Sequence, residues 1–209
     1  MFEKESLIID EEQIREDKIM RNIPTFCFPY YQNLINLHII ERGNESLNVD
    51  LIIYTDGSKM INGTAAAFVA YRHNVEIYKY QIKLSHRNSI YQAELTAIDE
   101  AINWFNTTTN YSVLIFTDNQ SSVYALEKLF PVNMIVHSIY NSVLQNPGKL
   151  YYIKWVKAHI GVLGNERADD LAKCVILNNV YDKTRDIPYP ISVIKNYINE
   201  NILKEWQNN

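Results

Sequence analysis

Four acidic residues, Asp56, Glu94, Asp118 and Asp169, stand where carboxylates could converge on chemistry. Asp56 follows an apolar run, Val49–Thr55, and Asp118 follows another, Val113–Thr117. Glu94 lies early in a helical pattern that opens near Ser89, and Asp169 lies early in one that opens near Asn165. Any one of these acids alone reads as a surface residue or a helix-terminal charge. Asp56-Gly57 alone is a common turn. Together they read differently. Convergent carboxylates repel one another, so such a cluster calls for cations, and its hard oxygen ligands suit Mg²⁺ or Mn²⁺. Two such ions about 4 Å apart clamp the attacking and leaving oxygens of a phosphoryl transfer.

That chemistry needs a scaffold that brings strand ends and helix starts to one place. After the first strand, Ala65–Tyr71 and Val75–Leu84 are strand candidates separated by Arg72-His73-Asn74, which predicts an antiparallel meander. Ser89 can cap a helix that runs to Phe105, with Leu95, Ile98, Ile102 and Phe105 on one face. Val113–Thr117 is the fourth strand, followed by helical stretches over 120–129 and 132–144, the second stopped by Asn146-Pro147-Gly148. Leu150–Val156 is the fifth strand, and Asn165–Leu177 is a helix whose packing face is Ala168, Leu171, Ala172 and Val175. Strands first and then alternating helix and strand predict an α/β domain over 49–178, with a five-stranded mixed sheet flanked by helices. If the first and fourth strands are neighbours, Asp56 and Asp118 meet at one edge of the sheet. Residues 1–48 read as an extension, with an exposed acidic start of helical character and then a Pro/aromatic segment. Residues 179–209 read as a proline-containing loop and a docking helix with Ile191, Ile194, Ile198, Ile202 and Trp206 three to four apart.

Composition is that of one globular domain with extensions: 209 residues, 47% hydrophobic and 21% charged. No stretch approaches the roughly 18 apolar residues of a membrane helix. The acidic N-terminus precedes no long apolar run, so no signal peptide is expected and the protein is placed inside the cell, in cytoplasm or nucleus. Cys27 and Cys174 lack metal-like spacing and read as reduced and structural. Net charge is −4, but residues 1–50 carry five Lys/Arg against ten Asp/Glu, whereas 51–178 carry eleven against ten. Setting aside the four acids assigned to cations leaves the central segment basic, so overall charge does not exclude a nucleic-acid partner.

The wording around the acids is specific. Ile53-Tyr-Thr-Asp-Gly-Ser-Lys59, Tyr91-Gln-Ala-Glu-Leu-Thr-Ala-Ile98, Ile115-Phe-Thr-Asp-Asn-Gln-Ser-Ser122 and the stretch from Trp155 to Lys173 with Asn165-Glu-Arg-Ala-Asp169 resemble the four motifs of type 1 ribonuclease H, in the family's order. The resemblance covers about residues 49–178 and implies an enzyme that cuts the RNA strand of an RNA–DNA hybrid with two Mg²⁺ ions, leaving 3′-hydroxyl and 5′-phosphate ends. It implies that Asp56 bridges both ions, that Asp169 shares one of them, and that Glu94 and Asp118 hold the other. Glu94 would also lie near the 2′-hydroxyl that distinguishes RNA from DNA. His159 matches the family's mobile histidine, with proton transfer or product release as its role. Gly57, Ser58, Gln120 and Asn165 are candidate substrate contacts, Asn165 and Glu166 also beginning the helix. Arg167 reads as a solvated face residue, and His38, His73, His86 and His137 as structural.

Two departures shape the expectation. Cellular members carry a Lys- and Trp-rich protrusion, but Phe130–Lys149 holds one Lys and no Trp or Arg. They also place asparagine shortly before the catalytic glutamate, where this chain has Ile90-Tyr91-Gln92. Both features, and the wording of the loop before Asp169, are more similar to ribonuclease H domains of non-LTR retrotransposons, which implies a reverse transcriptase as a partner. The alternatives are a non-catalytic nucleic-acid-binding remnant of the same fold, and an integrase or junction resolvase acting on DNA. The intact set of acids and the motif wording stand against both.

Overall fold

The computed structural model describes residues 6–9, 12–15, 36–40, 47–128 and 133–207. Strands β1 (Ser6–Ile9) and β2 (Glu12–Arg15) form a separate antiparallel ribbon. The acidic start was expected to be helical. Ile8, Ile9 and Ile14 favour strand over helix.

The main sheet contains β3 (Leu37–Ile40), β4 (Leu51–Met60), β5 (Gly63–Arg72), β6 (Val75–Leu84), β7 (Ser112–Thr117), β8 (Leu150–Trp155) and β9 (Lys183–Thr184), in the order β3-β8-β7-β4-β5-β6-β9. The antiparallel meander is β4-β5-β6, and β4, β7 and β8 run parallel, as expected. The sheet has seven strands rather than five, because β3 pairs parallel with β8 and β9 pairs parallel with β6. These edge strands are four and two residues long, too short for alternation to stand out in the sequence, and both come from outside residues 49–178.

Helices α1 (Ile90–Thr107), α2 (Gln120–Leu126), α3 (Met134–Leu144), α4 (Leu163–Asn178) and α5 (Ile191–Gln207) complete the described chain. Residues 129–132, where the two helical stretches were expected to end and begin, lie outside the described residues. Period-two alternation in β4 sends Leu51 and Ile53 into one core with Leu95, Ile98, Ile102 and Phe105 of α1. Tyr54, on the opposite face, joins Ala67, Val69 and the expected face of α4, Ala168, Leu171 and Ala172. The sheet is thus buried on both faces where β4 crosses it, which is why that strand reads as a nearly continuous apolar run. Phe68 and Tyr78 pack beside Trp104, and Tyr54 stacks on Phe116, so these tyrosines serve packing.

Candidate active site

Strands β4 and β7 stay paired up to Thr55 and Thr117, after which β7 ends while β4 continues beside β5. Asp56 and Asp118 follow that last pair, so two carboxylates stand side by side where the strands part. Glu94 reaches them from α1 because β4 has glycine at the crossing. A Cβ on Gly57 would lie 2.5 Å from the Glu94 nitrogen and 2.9 Å from the Ala93 carbonyl carbon. No side chain fits there. The Gly57 N–H instead donates to the Glu94 carboxylate. Carboxylate oxygens of Asp56, Glu94 and Asp118 lie within 4.8 Å of one another.

This concentration of charge is costly without a partner. Asp56 is 5% exposed and Glu94 4%. Burial, and then the charges of Asp118 and Asp169, push the Asp56 carboxyl up to about 8, while Lys173 opposes the shift. Burial first, and then Asp56 and Asp118, hold Glu94 well above the usual carboxylate range against the Gly57 N–H and the Asn119 side chain. Asp56 Oδ2 and Glu94 Oε2 are buried with no hydrogen-bond partner. Unpaired buried carboxylate oxygens are expensive, and an all-oxygen donor set that converges so closely fits a hard divalent cation. Asp169 stands beside this cluster on α4, near enough for its charge to act on Asp56, with its Oδ2 2.6 Å from Lys173 Nζ.

The surrounding residues divide into those that hold the acids and those that face outward. Asn165 is 2% exposed, and its amide donates to Asp118 Oδ2 at 3.0 Å. It therefore braces Asp118. It lies in the first turn of α4, which starts at Leu163, two residues ahead of the expected start. Trp155 Nε1 donates to the Asp118 carbonyl at 2.9 Å and fixes the same residue from its backbone. Asn119 was missed by the motif reading. Its Oδ1 caps α2 by accepting from Ser122 N, and its side chain also hydrogen-bonds to Glu94. The only signal in the sequence was a cap residue directly after an acid.

Gln92 explains the departure ahead of Glu94. It completes a capping box with Ser89, and its Nε2 donates to the Pro188 carbonyl at 2.8 Å, so this side chain serves structure. Ser58 is buried at 7% exposure, whereas Gln120 is exposed and donates to the Tyr124 hydroxyl. His159 is exposed on the loop before α4 with φ 53°, and Gly161 follows with φ 85°. Arg167 pairs with Glu76 at the surface, consistent with a solvated face. His38 stacks on Tyr152.

The chain matches the RNase H family over residues 48–176, more than half its length. No curated protein sequence matches it. Among solved structures, it superimposes on a foamy viral protease–reverse transcriptase in complex with dsDNA with a TM-score of 0.54 at 20% identity, over 63% of this chain and 96% of that one. It also superimposes on the foamy viral protease–reverse transcriptase in complex with RNA/DNA hybrid, with a TM-score of 0.55 at 18% identity. That match covers 66% of this chain and spans only 22% of the other. Motif order, the meeting of the acids at the parting of β4 and β7, and the match over residues 48–176 agree: this chain belongs to the RNase H family.

Proposed function

We propose that this protein is an endoribonuclease that hydrolyses the RNA strand of RNA–DNA hybrids with two divalent ions, Mg²⁺ or Mn²⁺, leaving 3′-hydroxyl and 5′-phosphate ends. The observation that carries the proposal is the buried Asp56–Glu94–Asp118 cluster with its unpartnered oxygens. Ions bound there would neutralise the carboxylates and stabilise the charge that builds on the scissile phosphate.

The chain's own residues divide the work. Asp56, Glu94 and Asp118 would hold one ion, and Asp56 with Asp169 would hold the other. Asn165 and Asn119 keep Asp118 and Glu94 in their rotamers, so the ligands are preorganised and resist collapse onto one another. Glu94, beside Gly57, is placed to read a 2′-hydroxyl, which gives a physical basis for choosing RNA. His159, on the exposed loop, would transfer a proton or help to release the product.

The motif wording supports an origin among retroelement domains of the non-LTR kind, with a reverse transcriptase as partner. The structural neighbours, titled protease–reverse transcriptases, are consistent with that setting. A hybrid labelled separately on each strand tests the proposal. The account predicts cuts in the RNA strand alone, with 5′-phosphate products, in Mg²⁺ and none in EDTA. Metal-independent binding without cutting would instead establish a binding remnant.

A further inference from the structure

Helix α1 carries Glu94, and its first turn is held by a segment beyond the family match, which ends at residue 176. Residues 182–188 first run beside β6, where the Asp182 N–H donates to the Gln81 carbonyl and the Arg185 N–H to the Lys83 carbonyl. The segment then crosses the start of α1. Gln92 Nε2 donates to the Pro188 carbonyl at 2.8 Å, and Asn88 Nδ2 donates to the Ile187 carbonyl at 3.4 Å. Gln92 and Asn88 are 1% and 0% exposed, and Ile187 joins the core against which α1 packs. Gln92 Oε1 meanwhile accepts from the Ser89 N–H at 3.0 Å and from Asn88 Nδ2 at 3.2 Å. One buried amide therefore links the helix cap, the loop before it and the segment that crosses it. From the sheet, Lys59 of β4 donates to the carbonyls of His86 and Asn88 in the same loop.

We propose that residues 182–188 are a positioning strap for Glu94, with Gln92 as the positioning residue through which the strap acts. Glu94 lies two residues beyond Gln92, where α1 crosses Gly57 at backbone contact. The end of a helix is the part that frays first. Tying Gln92 to the Pro188 carbonyl holds the first turn down, so the Glu94 carboxylate stays beside Asp56 and Asp118 in spite of their repulsion. Glu94 Oε2, buried without a hydrogen-bond partner, would otherwise gain by turning towards water. The inference rests on the metal-site reading above and extends the site to a part of the chain that none of the carboxylate motifs includes.

Gln92→Glu in the full chain tests it. A carboxylate at this position still completes the capping box with Ser89 but cannot donate to Pro188. Its negative charge alone would tighten cation binding, so a weakened site has to come from lost positioning. Hydrogen exchange in EDTA is expected to quicken about tenfold at Ala93, Glu94 and Leu95, the scale of one lost buried hydrogen bond, and to stay unchanged from Ile98 to Ile102. Isothermal titration is expected to show Mn²⁺ affinity lowered about tenfold, the lower end for groups that orient a metal ligand. Gln92→Met, which removes donor and acceptor together, is expected to show the same two losses, and it carries the test if the carboxylate variant fails to fold. Mn²⁺ affinity equal to or above that of the wild type, or unchanged exchange at residues 93–95, would overturn the strap's role. So would a lowered melting temperature with the affinity of the folded protein intact, the signature of a part in stability alone. Absence of Mn²⁺ binding to the wild type would remove the metal-site reading itself, and exchange in EDTA would still decide whether the strap holds α1.

Discussion

At the scale of single residues, the site is a balance between like charges and the groups that hold them together. Asp56 gives the clearest consequence. Its carboxyl titrates near 3.8 in an unfolded chain and at about 8 in the metal-free fold. The folded state therefore holds a proton that the unfolded state has lost. This contribution to stability is complete below about pH 4 and disappears as pH rises towards 8. In EDTA, the melting temperature should fall between pH 5 and pH 8 more steeply for the wild type than for Asp56→Asn. Parallel pH dependences would contradict the account. Asn165→Ala should lower Mn²⁺ affinity and activity about 10–100-fold by freeing the Asp118 carboxylate. Isothermal titration beside a cleavage assay would measure both effects. The acids themselves were legible because their types and spacing are unusual in combination. Their supports were less so. Asn119 looked like an ordinary cap, and Asn165 like a helix start, because which side chain braces which acid depends on how α1 and α4 approach the end of β7, which no local pattern encodes.

At the scale of elements, the placement of α1 matters most. Gly57 lets the helix backbone touch β4, so Gly57→Ala forces the two apart. Such overpacking typically costs about 1–3 kcal/mol. It should appear as a lowered denaturation midpoint together with loss of Mn²⁺ binding, and retention of both would contradict the close crossing. The other end of the positioning came from outside the matched segment. Residues 182–188 run along β6 and over the start of α1, where Gln92 and Asn88 hydrogen-bond to the carbonyls of Pro188 and Ile187. Arg185 pairs with Asp99, whose side chain is fully buried, and with Glu100. Arg185→Ala would leave Asp99 uncompensated, at a cost of roughly 3 kcal/mol, the lower end for breaking a buried pair because Arg185 keeps 19% exposure. Urea denaturation checks this. The meander, the neighbouring first and fourth strands and the faces of α1 and α4 followed from periodicity. The edge strands β3 and β9 did not, since four and two residues carry too little pattern, and they pair only because a finished sheet offers an open edge.

At the scale of the whole molecule, charge and surface decide how the site meets its substrate. The acidic first fifty residues and the absence of a basic protrusion leave few cations for phosphates. Binding of the isolated chain to a hybrid should be weak and should fall as salt rises, with a log–log slope of smaller magnitude than that of a protein making about 6–10 phosphate contacts. Fluorescence anisotropy from about 50 to 200 mM salt would measure the slope. On α5, Ile191, Ile198, Ile202 and Trp206 are 44%, 47%, 52% and 83% exposed. The apolar stripe expected to dock therefore lies open at those residues. No helix among the described residues is long and apolar enough to cross a membrane.

The central claim is tested most directly by incubating the purified chain and its Asp56→Asn variant with an RNA–DNA hybrid, duplex RNA and duplex DNA of the same sequence, in Mg²⁺. The account predicts cleavage of the hybrid alone by the wild type, and a loss of about a thousandfold or more in the variant. Cleavage that persists in Asp56→Asn, or that falls on duplex DNA, would contradict it.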